Sequence, residues 1–573
     1  MKNFYTVISS ILFLFVITIH PQVPFSTTPD WISLDNPYST GAAFADIDQD
    51  GWIDLVVANG NDMARQKVAV YYNDGTGNYP FNPNWQSSDI DYHGHLDVGD
   101  VNSDGYPDVA VSVYLGAAGF SQPGKVKLYM NNAGTLSSSP DWISQDAVYT
   151  FSCAFGDADG DGDLDLAVSG GESYNNYPEQ LRIYYNNGGT LDSLPGWKSQ
   201  SSIYSYDVNW ADFDNDGDLD LVFANESYPN QIYENLGDSI TTIPVWQSTD
   251  PSQYANSLFV GDINNDGFID LAISDNSQLG GSGKFKLYQN NQGTLNTTPF
   301  WNSAWSGYGS GIMLADVDND MDLDLLTGGW WQPSRIYLND NGSFTANPQY
   351  TSNTGSVVEA IICGDYDNDA VNTVTENVIS DGSKKLFYMP RAPLQKIVSV
   401  VVDADTLTHT QYCYDLECGW ISLASTPDSG ETILFEVIES WDLDIAISNW
   451  DNDIGNYLYV NNSNPVFVEN EEKLPQEFSL FQNYPNPFNP TTKIKYRIPL
   501  SPPLLKGESE AGGFITLKIY DVLGNEIATL VNEEKPTGEY EVEFNGEGLT
   551  SGIYFYQLRD GDFVQTKKMI LLK

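Results

Sequence analysis

A ten-residue phrase, written six times, constrains this chain more than any other feature. It reads Asp, any residue, Asp or Asn, any, Asp, Gly or a substitute, two more residues, Asp, then Leu or Val. Copies begin at Asp46, Asp100, Asp157, Asp212, Asp262 and Asp316. Positions 1, 3, 5 and 9 carry oxygen-bearing side chains. They are Asp46, Asp48, Asp50 and Asp54; Asp100, Asn102, Asp104 and Asp108; Asp157, Asp159, Asp161 and Asp165; Asp212, Asp214, Asp216 and Asp220; Asp262, Asn264, Asp266 and Asp270; and Asp316, Asp318, Asp320 and Asp324. A loop that recurs about every 50 to 57 residues marks a chain of repeated units, each too small to fold alone.

Carboxylates packed this closely repel one another unless a cation or water compensates them. A hard cation taking six to eight oxygens suits the donor set, so Ca²⁺ is expected at about six sites. No His or Cys falls in a loop, which argues against zinc or copper. Gly at position 6 (Gly51, Gly105, Gly162, Gly217, Gly267) permits a sharp turn. An EF-hand would need Glu at position 12 and flanking helices. Position 12 is instead Val57, Val111, Val168, Phe223, Ile273 and Thr327, and the flanks read as strands.

Two further markers share the period. Fifteen or sixteen residues ahead of each loop stands Trp-x-Ser, at Trp31, Trp85, Trp142, Trp197, Trp246 and Trp301. After each loop comes a β-rich run ending in or near Asn, such as VAVYYND or VKLYMNN. Two worn copies follow the same markers. In the seventh, Tyr350 replaces Trp, and the loop from Asp365 keeps Asp367 and Asp369 but has Ala370 and Thr373 where Gly and the last Asp belong. In the eighth, Trp420 precedes a loop whose first positions are Glu436, Ile438 and Ser440, with only Asp444 in place. Weak or no binding is expected at the seventh and none at the eighth. Short antiparallel strands in such units close into a ring that removes sheet edges. The expected fold is all-β, a β-propeller of seven or eight blades followed by a small antiparallel β-sandwich. The repeated Trp is expected to wedge between blades.

The loops and markers over roughly residues 29 to 462 resemble the FG-GAP (VCBS-type) repeats of integrin alpha-subunit propellers and of secreted bacterial proteins. That resemblance implies calcium in the blade loops and ligand recognition, and does not by itself imply catalysis.

The ends of the chain carry a different message. Lys2 followed by the apolar run TVISSILFLFVITI reads as a secretory signal over residues 1–22, too short to span a bilayer. The propeller is expected over 26–462 and a polar linker over 463–483. Residues 484–573 then form short alternating strands. Tyr484 to Phe488, Gly524, Gly552-Ile553-Tyr554 and Lys567-Lys568 resemble the type A sorting domain of the type IX secretion system. The resemblance implies a C-terminal address read by that machinery and a secreted or outer-membrane surface-anchored protein. Ser501 to Gly513, rich in Pro and Gly, departs from the pattern as an inserted loop.

The formal charge is −53, from 78 acidic and 25 basic residues, which disfavours nucleic acid and anionic membrane as partners. Four cysteines in this length do not form a disulfide framework, although Cys413 and Cys418 are close enough in sequence to staple a local loop. No catalytic constellation stands out; His93 and His95 alternate on a strand. The loops after the DLxxxx strands carry aromatics, chiefly Tyr114, Tyr174, Tyr228, Trp330, Trp331 and Trp450, which would emerge on one rim and stack on sugars. The sequence therefore points to a binding or adhesion module for glycans or surface proteins. A polysaccharide lyase built on the propeller is the alternative.

Overall fold

The computed structural model describes residues 23–462, apart from 238, 251–252 and 452, and residues 479–572, apart from 482, 484–485, 487, 499–512, 523, 536–537 and 561–562. The expected signal at 1–22, most of the linker, Tyr484 and nearly all of the Ser501–Gly513 insert lie outside the described residues. The chain divides into two compact units, Met1–Pro465 and Val466–Lys573.

In the first unit the repeat becomes a four-stranded antiparallel blade. Blade one runs outward as Ser39–Ala45, Asp54–Asn59, Ala69–Tyr71 and Trp85–Gln86. The next blades repeat this order from inner strands Tyr92–Gly99, Cys153–Gly156, Ser205–Ala211, Ala255–Gly261, Gly309–Ala315 and Ser356–Gly364. Each inner strand adjoins the next, and Ser356–Gly364 returns to Ser39–Ala45, so among the described residues seven blades close a ring. Second strands such as Asp54–Asn59 are buried along their whole length, because neighbouring blades cover both faces. The ring is clasped by the start of the chain. Trp31–Ile32 pairs with Tyr457–Tyr459 as the outermost strand of blade seven.

The markers have distinct structural roles. Each Trp of blades one to five meets edge-on the Tyr of the next blade's third strand, and Trp31 in blade seven meets Tyr71 in blade one; ring centroids lie 5.2–6.3 Å apart. Edge-on pairs of this kind contribute about 0.5–1.5 kcal/mol beyond their buried area. The Ser two residues on is buried and accepts a backbone N–H in or just before the third strand, as Ser87 Oγ does from Val68 at 3.2 Å and Ser199 Oγ from Leu181 at 3.0 Å.

The seventh and eighth sequence repeats are one blade. Its inner strand, Ser356–Gly364, pairs with Asp444–Asn449, and the chain between them builds a separate small β-domain. That insert has one sheet of Val371–Ile379, Thr432–Ser440, Leu394–Val402 and Asp405–Thr406, and another of Leu386–Tyr388, Trp420–Leu423 and Tyr412–Asp415. Its own core includes Leu394, Ile397, Val400, Ile433, Phe435 and Val437. Trp420 is therefore not a blade Trp. It belongs to the insert and is buried against residues of blades two to four. Cys413 and Cys418 are unpaired thiols, with Cys418 Sγ 3.8 Å from Asn209 Nδ2.

The second unit is an antiparallel sandwich. One sheet joins Ser479–Leu480, Thr491–Ile498 and Gly538–Asn545; the other joins Glu526–Lys535, Gly513–Tyr520, Gly552–Asp560 and Phe563–Leu571. Alternate residues Ile494, Tyr496 and Ile498 face a core shared with Ile515, Leu517, Tyr556 and Leu558. Of the Tyr484 to Phe488 run, Asn486 Oδ1 accepts the Ile570 N–H at 2.9 Å and Phe488 is buried beside Leu571.

Candidate functional site

The acidic loops join first to second strands, so all lie on one face of the ring. Left-handed backbone at position 4 (Gln49, Ser103, Gly160, Asn215, Asn265, Asn319) and at position 6 turns each loop inward. Gly supplies position 6 except in loop six, where Met321 takes φ 73°. The position 9 Asp is the anchor. One oxygen accepts the N–H of position 2 at 2.8–3.1 Å. The other accepts the N–H of the third-strand Asn at 2.6–2.8 Å. That Asn then reaches across a blade boundary. Asn73, Asn131, Asn186, Asn235, Asn290 and Asn339 donate from Nδ2 to a loop carbonyl of the preceding blade at 2.7–2.9 Å. The loops are thus part of what welds one blade to the next.

Four of the six loops gather three carboxylates each with oxygens within 4.8 Å of one another, as in Asp157, Asp159 and Asp165. Loops two and five have the same turn, with Asn102 and Asn264 in place of one Asp; each accepts the position 5 N–H at 3.0 Å. A fifth cluster joins Asp365, Asp367 and Asp444. The seventh loop begins as the others do, with Asn368 at φ 53°, and the insert enters after Ala370. The chain re-enters at Trp441, so Asp444 supplies position 9 of the seventh loop. Thr373 lies in the insert's first strand, and Glu436, Ile438 and Ser440 in its last.

These residues fit a hard cation. Asp46 Oδ1, Asp157 Oδ1, Asp318 Oδ1, Asp365 Oδ1 and both oxygens of Asp442 are buried and accept no hydrogen bond from protein. Burial pushes the carboxyls of Asp54, Asp108 and Asp220 up to about 8, those of Asp270 and Asp318 to about 7, and those of Asp165, Asp324 and Asp444 well above the ordinary range. A cation beside such a carboxylate reverses that cost.

The insert covers this acidic face with some of the chain's scarce cations. Arg391 lies over the Trp441 ring and places Nη2 3.0 Å from Asp316 Oδ2; Lys384 Nζ donates to the Asn215 carbonyl at 2.8 Å, and Lys385 to that of Gly160. Ser422 Oγ donates to Asp157 Oδ2 at 2.6 Å and Ser440 Oγ to Asp365 Oδ2 at 2.9 Å. Two cavities, about 270 Å³ and about 520 Å³, remain between insert and blades. Asp415 and Glu417 of the insert reach the axial cavity, where they share the lining with Asp97, His95 and Asp207. His95 Nδ1 stands 3.6 Å from Asp207 Oδ1. Burial opposes the charged imidazole, but Asp207 and Glu359 outweigh it and hold His95 above its usual value.

On the opposite face the axis opens into a well of about 120 Å³. Its rim comes from the ends of the second strands and the loops after them: Asp62, Tyr114, Tyr174, Trp330, Trp331 and Trp450. Five of the six rim aromatics expected from sequence meet here. Tyr228 does not line the well; it packs on Tyr204 at 5.7 Å instead. Trp330 and Trp450 stack at 6.2 Å and 19°. Trp331 is 53% exposed and holds φ 56°, a costly backbone for so bulky a residue. Inner-strand ends form the floor: Thr40, His93, His95, Phe151, Tyr206, Asn256 and Glu359. Tyr114 stacks on Phe151 at 3.9 Å, and Glu359 Oε1 accepts from Trp330 Nε1 at 2.7 Å. Of this floor only the two histidines are conspicuous in the sequence. A signal for the rest exists once the loops are aligned. Thr40, Gly94, Phe151, Tyr206, Asn256 and Glu359 each stand six residues ahead of the loop's first Asp, where residue type changes from blade to blade.

Comparison with known proteins agrees with this anatomy. Residues 46–111, 113–168, 173–223, 212–273 and 316–372 match the FG-GAP-like repeat, and 95–129 match the FG-GAP repeat. Residues 482–572 match the secretion system C-terminal sorting domain. No curated protein matched the chain. Among solved structures, the crystal structure of BBS1N in complex with ARL6DN, soaked with mercury, is similar at 9% identity and a TM-score of 0.37, over 72% of this chain and 95% of that one. Likeness at that level carries no argument.

Proposed function

We propose that this chain, an FG-GAP-repeat protein ending in a secretion-system sorting domain, is a calcium-held propeller whose axial well binds glycans. The sorting tail makes it a secreted or surface-attached protein that engages the type IX secretion machinery. No helix among the described residues is long and apolar enough to cross a membrane. In this reading residues 1–22 are the export signal, 26–462 the propeller, 463–483 a linker and 484–573 the sorting domain.

Calcium is the cation the loops favour, because each offers several oxygens in a flexible turn and no nitrogen or sulfur. Extracellular calcium modules work at Kd values of about 0.1–1 mM, so export would load the sites. The seventh site would bind as well, through Asp365, Asp367 and Asp444, and would tie both ends of the insert to the ring.

The single observation that carries ligand binding is the well itself. Large aromatic faces and buried polar groups converge there from separate blades, as in a site for a ring-shaped, hydroxylated ligand. Trp331 is the sharpest probe. Trp331→Gly suits the left-handed backbone, so stability should hold or rise by up to about 1 kcal/mol. Binding to a glycan array should nevertheless fall at least about tenfold, as loss of a stacking ring of 1.4 kcal/mol or more implies. Unchanged binding by this variant and by Trp450→Ala would refute the well as the ligand site. The lyase alternative finds little support: among the described residues no Lys or Arg lines the well to neutralise a uronate.

A further inference from the structure

The well is lopsided in its carboxylates and rings. Among the described residues its lining holds Asp62, Glu359, two histidines and seven aromatic side chains, and neither Lys nor Arg. His93 Nδ1 is 2.5 Å from the Asn59 carbonyl and so must be the donor there. Burial holds this imidazole below its usual pKa and so favours the neutral form, in which Nε2 is an acceptor. His93 is 1% exposed and Nε2 has no protein partner. Asp62 Oδ1 is also buried without a partner. Burial pushes the Glu359 carboxyl up to about 7, and the Asp62 charge adds to that rise. Asn61 Nδ2 and the Tyr114 hydroxyl are likewise buried without a partner; the unpaired acceptors Asp62 Oδ1 and His93 Nε2 stand among ring faces that attract positive charge.

A sugar hydroxyl brings an acceptor with each donor. An ammonium brings three donors, no acceptor and a positive charge. A uronate would meet Asp62 and Glu359 with only His95 to offset them, and His95 is already faced by Asp207 at 3.6 Å. We propose that the well selects a saccharide bearing a free amine, its ammonium seated beside Asp62, Glu359 and His93 Nε2 and its ring against the tryptophans. This rests on the glycan reading above and narrows it to one class of sugar.

The test uses the full chain with calcium and calorimetric titration at pH 7, where the Glu359 carboxyl is partly ionised. The probes are a glucosamine oligomer, the same oligomer N-acetylated, a neutral glucose oligomer and an oligogalacturonate. The free-amine oligomer should bind at least about tenfold more tightly than its acetylated form, since charge-assisted hydrogen bonds are about twice as strong as neutral ones. Asp62→Asn with Glu359→Gln should erase that preference, bringing the free-amine and acetylated oligomers to within about twofold of each other. Equal affinity for amine and neutral oligomers, or tighter binding of the uronate, would overturn the inference and leave the glycan reading standing. Binding of none of the four by the wild-type chain would overturn both. The wild-type comparison stands even if the double variant fails to fold.

Discussion

Chelating calcium from the secreted chain should lower its melting temperature by about 10 °C or more. Each loop at ten times its Kd would stabilise the folded ring by about 1.4 kcal/mol, and seven loops by about 10 kcal/mol. Unfolding entropy of about 2.1 cal/mol/K per residue, over the roughly 440 residues of the ring and insert, converts that to about 10 °C. The effect should be cooperative, because each loop is bonded through an Asn side chain to a neighbouring blade. Calorimetry in 5 mM calcium and then in excess EGTA reads it directly. Equal melting temperatures in the two buffers would mean the loops are acidic turns and nothing more. Magnesium should restore only part of the loss, since it prefers a smaller shell with retained water.

Asp444→Ala should be the most damaging single substitution on the loop face. Asp444 is 1% exposed and accepts the N–H groups of Tyr366 at 3.0 Å and Asn461 at 2.8 Å. Stranding two buried donors costs about 1–3 kcal/mol each. The substitution should also remove one calcium and free one end of the insert. Limited proteolysis between Ala370 and Trp441 should then accelerate even in saturating calcium. Asp220→Ala serves as the control. It breaks the equivalent bonds from Phe213 and Asn235 in an uninterrupted loop. It should cost similar stability but leave the insert protected. Equal protease sensitivity of the two variants would show that the seventh loop does not anchor the insert.

The loops were legible because their chemistry is local. Four oxygens and a turn residue within ten positions need no tertiary partner to be recognised. The Trp-x-Ser and Asn markers were legible for the same reason, although their roles emerge only across blade boundaries, where Trp85 meets Tyr129 and Asn131 Nδ2 meets the Ile47 carbonyl. The seventh loop misled for the opposite reason. Its carboxylates are split by the insert, which separates Asp365 and Asp367 from Asp444, so spacing along the chain no longer reports spacing in the ring. Thr373 then falls at position 9 by count alone, and Asp444 reads as a relic of an eighth repeat. The same insertion put Trp420 where a blade Trp was expected. At the well, the rim aromatics stood out as ring-bearing loops, and all but Tyr228 converge. The floor did not, since its residues come singly or in small groups from separate blades and no short motif joins Asp62 to Phe151, Tyr206 and Glu359.

Counting calcium on the full secreted chain by elemental mass spectrometry, after exhaustive exchange against defined free calcium, tests the account most directly. It predicts seven ions per chain, falling to six in Asp444→Ala. No bound calcium, or a count that Asp444→Ala leaves unchanged, would contradict it.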